Sequence, residues 1–351
     1  MHALTALANF SQPDYIRKSV PFCHFNTDAQ QKNGGVLFST GKDMDFTLML
    51  KVFLAILETF VFCALGAFAV KRRMMTADSL AGLSRFAIYV LTPVLIFATI
   101  FNNFSKEQLT GAWIFPAISF GTVVLHALAG FLLMPLLRYK TPARKATFMH
   151  LAAINNFMFL PLIIVQNLWN NEYVASLLLM SVGSTVAQWT IGIAVMGGTN
   201  FKQLIRNILS VNLIAALFAV ICLFAGVKLP GFVTVTADKV GALAVPLSLI
   251  LTGASIYLSG AKLTNYPGDM LYTLAVRLII LPLLTLAVIK LLPLDTMARD
   301  LAIVLSVMPA SAASVLIVRD YGGDTDFAGQ MVLSTTLASI ITVPVLLVCM
   351  L

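Results

Sequence analysis

Long apolar runs, separated by short polar connections, follow one another from Phe46 to the C-terminus. A helix rises about 1.5 Å per residue, so roughly 20 consecutive apolar residues cross the hydrocarbon core of a bilayer. Ten runs meet that length: 46–70, 79–102, 110–137, 143–168, 173–198, 208–228, 236–259, 268–292, 298–319 and 326–350. The pattern predicts an all-α polytopic membrane protein with ten transmembrane helices in contact with the lipid bilayer. The connections carry punctuation such as Lys71-Arg72-Arg73, Asn102-Asn103, Thr141-Pro142, Asn170-Asn171 and Tyr266-Pro267-Gly268. Residues 1–45 are polar and irregular, with Pro13, Pro21 and Gly34-Gly35. They read as a disordered tail; the alternative is that Met44 is the natural start.

Polar and proline positions inside the runs repeat. Pro93 precedes Pro161 by nearly the spacing at which Pro246 precedes Pro309. The fifth run carries Ser181, Ser184, Thr185 and Gln188, and the tenth carries Thr335, Ser339 and Thr342, each set on one helix face. A five-helix unit used twice must be inverted the second time, because five is odd. The expected division is therefore a first repeat over 46–198 and a second, inverted repeat over 199–351. Paired broken helices in inverted repeats are the architecture of many secondary transporters. The stretch Ser306–Gly323, SVMPASAASVLIVRDYGG, is the strongest candidate for such a break. A proline lacks an N–H and clashes with the preceding turn, and a broken helix survives in lipid only where protein or a wet cavity satisfies its carbonyls.

Composition and charge agree with the pattern. Hydrophobic residues make up 59% and charged residues 11%, against about 25% charged in soluble domains. The net charge of +8 does not point to nucleic acid, because the basic residues lie in short connections. The odd-numbered connections hold Lys71, Arg72, Arg73, Arg138, Lys140, Arg144, Lys145, Lys202, Arg206, Lys262 and Arg319; the even-numbered ones hold only Lys106, Lys228, Lys239, Lys290 and Arg299. The positive-inside rule then places the odd connections in the cytoplasm of a cell (inner or plasma) membrane and both termini on the other side. Cys23, Cys63, Cys222 and Cys349 form no CxxC pair, so neither a disulfide nor a metal site is expected. The chain carries no HExxH, GxSxG, paired intramembrane aspartate or GxxxxGK[ST] motif, which argues against an enzyme, a cofactor and direct ATP drive.

Residues 66–97 (GAFAVKRRMMTADSLAGLSRFAIYVLTPVLIF) and 304–345 (VLSVMPASAASVLIVRDYGGDTDFAGQMVLSTTLASIITVPV) resemble the auxin efflux carrier family, in its short bacterial permeases, within the bile, arsenite and riboflavin transporter-like superfamily. The MPA-x-A-A-S-V run, the YGGD turn, Ser334-Thr335-Thr336 and Pro344 carry the likeness, and Arg277 with Pro282 is similar to the family's eighth span. The resemblance implies helices 4 and 9 broken and crossing at the centre, a homodimer held by spans 1, 2, 6 and 7, and transport of organic anions. One feature departs from it: Asn155-Asn156-Phe157-Met158-Phe159-Leu160-Pro161 has phenylalanines where the family has glycines.

Pro161 and Pro309 are each suited to begin a second half-helix, whose free N–H groups and positive dipole end would receive a carboxylate. Asn155, Asn156, Ser306 and Ser311 flank them as candidate substrate ligands. Glu58 lies near the middle of the first run, where a charge is expensive; it reads either as a proton-coupling acid or as a structural partner of Arg277. Arg277 reads either as a gating or structural residue or as the counter-charge of a substrate carboxylate. His126 and His150 read as packing hydrogen-bonders. The function expected is a secondary carrier of a small mono- or dicarboxylate, coupled to a proton, to sodium or to neither. The alternatives are a sodium-coupled bile-acid or antiporter-like carrier, and a membrane receptor using the same fold.

Overall fold

The computed structural model describes residues 42–109, 111–197, 211–258, 260 and 267–351. Every named element among them is helical, and the one extended pairing is a bridge between Asn155 and Ala310. Seven described helices are long and apolar enough to cross a membrane. They are α1 (Lys42–Lys71), α2 (Ala77–Asn103), α3 (Ile114–Leu136), α6 (Asn171–Gly192), α8 (Gly231–Leu258), α9 (Pro267–Ile289) and α12 (Thr325–Met350). The shorter α7 spans Val211–Phe224. The fourth and ninth apolar runs are each split in two: α4 (Pro142–Ala153) with α5 (Phe159–Leu168), and α10 (Thr296–Ser306) with α11 (Ser314–Asp320). The tail before residue 42, the start of the sixth run, Cys23, Lys202, Arg206 and Lys262 lie outside the described residues.

The sequence punctuation acts as helix caps. Thr141 accepts the Arg144 N–H with Pro142 behind it, Asn170 accepts from the Tyr173 N–H, Asp295 from that of Ala298, and Asp324 from that of Phe327. Each satisfies one of the four N–H groups a helix start leaves over. Prolines act further inside. In α2 a π-turn at Ala87–Leu91 stands just before Pro93, and in α9 one at Val276–Ile280 stands just before Pro282. Proline cannot bond the carbonyl four residues back, and the widened turn relieves the clash.

Apart from a small group of Val123, Ala127, Ala153, Ile154 and Ala187, two apolar clusters fill the interior. The larger joins residues of α1, α2, α7 and α8 (Ile56, Leu95, Ala219, Leu249) to residues of α5, α6, α10 and α12 (Ile164, Leu178, Val304, Leu347). The smaller is built by α3, α4, α9, α11, α12 and the links beside them, with Phe148, Val276, Val318 and Phe327, and Ile256 of α8 packs against it.

The connections sort to two ends. At one, Gln108 Nε2 donates to Glu172 at 2.9 Å and Asn102 Nδ2 to both Asp238 oxygens at 2.9 and 3.0 Å. At the other, Arg144 pairs with Asp269 at 3.2 Å and Asp324 at 2.8 Å. Asp269 also accepts the backbone N–H of Arg138 at 2.8 Å, and the Arg144 guanidinium lies 4.3 Å from the Phe327 ring centre. This clasp ties the starts of α4, α9 and α12 together.

Close helix crossings rest on glycine. A Cβ on Gly66 would lie 1.8 Å from the Ile250 carbonyl oxygen, and one on Gly253 would lie 1.9 Å from that of Cys63. Small residues let helix backbones approach in a membrane, where dispersion replaces the hydrophobic drive. Gly253→Val should therefore force α1 and α8 apart and cost about 1–3 kcal/mol, read as a lower melting temperature of purified protein. Asp269→Ala should cost about 3–5 kcal/mol, because it strands part of a buried ion pair. Arg319→Ala removes an exposed pair with Asp320 and should leave the melting temperature unchanged.

Candidate functional site at the helix crossover

Pro309 follows the end of α10, and its missing N–H leaves the Leu305 carbonyl without the donor a continuous helix would supply. The side-chain amide of Asn155 donates to that carbonyl instead. Next to it the Asn156 N–H donates to the Pro309 carbonyl at 2.8 Å, and Asn155 and Ala310 pair as an antiparallel bridge. The Ala310 N–H donates to Thr335 Oγ1 at 3.3 Å, while the Thr335 hydroxyl donates to the Met331 carbonyl at 2.7 Å. Two extended segments thus cross between the half-helices, each completing the other's backbone hydrogen bonds.

Arg277 serves one carbonyl on each side. Because the Asn156 N–H points across to Pro309, the Ala152 carbonyl loses its partner four residues ahead. Arg277 Nη1 donates to it at 2.9 Å. Nε and Nη2 donate to the Met308 carbonyl at 3.1 and 2.9 Å. Nη1 also donates to His126 Nδ1 at 3.2 Å, and His126 Nε2 lies 2.8 Å from Thr285 Oγ1. A guanidinium has no acceptor atom, so Nδ1 is bare and the proton sits on Nε2. The Thr285 hydroxyl donates on to Leu281 at 2.9 Å. Four of the five guanidinium N–H groups are engaged, and Arg277 is 0% exposed. Both carbonyls lie at half-helix C-termini, whose dipoles favour a cation. The π-turn at Val276–Ile280 places the side chain there.

The candidates read from sequence divide. Asn155, Asn156, Pro309 and Arg277 converge on the crossing. Pro161 lies in the first turn of α5 but does not begin it; the helix starts two residues earlier, at Phe159. Pro309 starts no half-helix: α11 begins at Ser314, after a turn in which the Ser314 N–H donates to the Ser311 carbonyl at 3.0 Å. Ser306 is fully buried and donates to Ile303 at 2.8 Å, so it faces its own helix. Ser311 is half-buried beside the crossing, as are Asn156 and Phe157, and Ala313 is exposed. Glu58 is exposed on α1 among Leu54, Leu57 and Val61 and has no ion pair with Arg277, whose donors are taken up elsewhere. The hydroxyl stripes mostly bond their own helices: Ser181 to Leu178, Thr185 to Ser181, Ser339 to Thr336. Neither α5 nor α11 has a side-chain cap. The Ser314 hydroxyl is buried with no hydrogen-bond partner among the described residues. A hollow of about 520 Å³ lined by Phe104, Glu172 and Asp295 opens at one end of the helices, away from the crossing.

A family model described as membrane transport protein matches residues 51–347, most of the chain. The chain belongs to this family, that of the auxin efflux carriers. No curated protein matches it at a significant level. In this transport protein the site residues missed by sequence reasoning are Thr335 as acceptor for Ala310, the His126–Thr285 pair behind Arg277, and Ser314. Thr335 stood in a visible stripe; the others show no signal, because their partners lie far off in the chain.

The two neighbouring asparagines should behave differently. Asn155→Ala leaves the buried Leu305 carbonyl with only the long 3.3 Å bond from the Met308 N–H and should cost about 1 kcal/mol. Asn156 contributes only its backbone N–H to the crossing, so Asn156→Ala should melt like the wild type. Thermal unfolding in detergent compares them.

Proposed function

We propose that this membrane transport protein is a secondary carrier that moves a small organic anion, a mono- or dicarboxylate, by alternating access. The observation that carries the reading is the crossing itself. The uncapped start of α5 lies beside the half-buried amide of Asn156, with the Arg277 cation behind it. A helix start with unpaired N–H groups is a ready anion site, and interrupted helices are where carriers bind substrate. The phenylalanines at 157 and 159 give the site an apolar wall suited to an acid with a hydrocarbon body.

Ten crossings follow if α4 with α5, α10 with α11, and α7 with the chain before it each make one. The sorting of connections to two ends supports that count, as does the match between the two broken pairs, which fits inverted repeats over 46–198 and 199–351. Bundle movement is supported by the two apolar clusters. At the end bearing the second, fourth and eighth connections, α1, α2, α7 and α8 share one core with the rest. At the basic end the second bundle supplies the buried members of another core, against which Ile256 of α8 packs. A second copy covering α1 would remove Glu58 from lipid, in keeping with a homodimer.

Purified protein in liposomes should exchange a labelled carboxylate in counterflow, and a broad acid panel that exchanges nothing would sink the reading. Asn156→Ala, folded as the wild type, should lower affinity roughly 10-fold or more, the worth of one hydrogen bond to a charged group at about 1.5–3 kcal/mol.

A further inference from the structure

We propose that Arg277 is a tethered cation standing where a coupling sodium ion would sit, so that the crossover works without sodium. The proposal rests on the carrier reading above and goes beyond it in assigning the coupling chemistry. Carriers with broken helices hold sodium with unwound backbone carbonyls and the C-terminal ends of half-helices, where the dipole is negative. Here those groups are the carbonyls of Ala152, at the end of α4, and Met308, past the end of α10. Both accept from Arg277, Ala152 once and Met308 twice, at 2.9–3.1 Å. The guanidinium thus occupies the space between the two half-helix ends and uses the oxygens an ion would need.

The surroundings suit one fixed positive charge and no second cation. His126, whose Nδ1 accepts from Arg277, is neutral in this arrangement and passes its other N–H to Thr285. Among the described residues no carboxylate pairs with Arg277, and no group of three or more His, Cys, Asp or Glu is placed to hold a metal ion. A hard cation takes about six oxygens; at the crossing the carbonyls of Ala152, Met308, Leu305 and Pro309 all accept hydrogen bonds already. Repulsion between like charges in a low-dielectric interior would oppose a sodium ion beside the guanidinium. Arg277 is on this account a positioning residue: it holds both half-helix ends and supplies the cation that makes their orphan carbonyls tolerable, without touching substrate.

The test compares small cations on purified protein, with choline keeping ionic strength constant. Wild type should show the same melting temperature in sodium, potassium and choline chloride; a saturable rise specific to sodium overturns the proposal. Arg277→Ala should melt lower and recover at least half of the loss in millimolar guanidinium, because the cavity can admit the free ion. Arg277→Met fills the cavity without a charge and should not recover. Equal failure of both variants to respond would make Arg277 a packing residue only and overturn the proposal. If Arg277→Ala does not fold, the sodium comparison on wild type decides alone. None of these measurements uses a carboxylate, so a failed acid panel would remove the anion reading and leave this result standing.

Discussion

A backbone carbonyl inside a membrane must find a donor, and two helices of this protein are broken where the donors run out. An unpaired polar group in hydrocarbon costs several kcal/mol, so a crossing with even two orphan carbonyls would be a poor fold. Asn155 replaces the N–H that Pro309 lacks, and Arg277 serves Ala152 and Met308 together. The rest of the molecule is arranged to bring these groups to one depth. The π-turn before Pro282 turns α9 so that Arg277 faces the crossing, α3 presents His126, and α12 presents Thr335 to the Ala310 N–H.

The same constraint accounts for the mechanics. The helices that build the crossing are also tied at the basic end by the Arg144, Asp269 and Asp324 clasp, which lies between α4, α9 and α12. The other bundle meets these helices through apolar contacts such as Leu95 and Leu178, with no ion pair between them among the described residues. Apolar seams slide at small cost, whereas the buried pair is expensive to open. The division of polar and apolar contacts is in keeping with the proposed division into a moving and a supporting part.

Much of this was legible along the chain. The long apolar runs became helices, the caps Thr141, Asn170 and Asp324 stood at their starts, and the breaks fell near Asn155 and Pro309. What misled was the use of proline as a helix start. Pro309 sits in an extended segment because its neighbours bond to the opposing strand, and α11 waits until Ser314. Glu58, conspicuous as a mid-run acid, ends on the outer face of α1, since helix rotation is set by packing of Val52, Ala55 and Ile56 rather than by charge.

Sequence by itself determined where the long apolar segments lie, their caps and the places where a helix must fail, because these follow from local chemistry: hydrocarbon thickness, free N–H groups, and a residue with no N–H. Only the tertiary structure decided which distant side chain repairs each failure. Asn155 and Leu305, or Arg277 and Met308, belong to different helices, and their meeting depends on how α4, α9 and α10 cross. That choice between structural clasp and substrate counter-charge for Arg277 was open on the chain. The bonds of Arg277 to both half-helix ends support the structural reading.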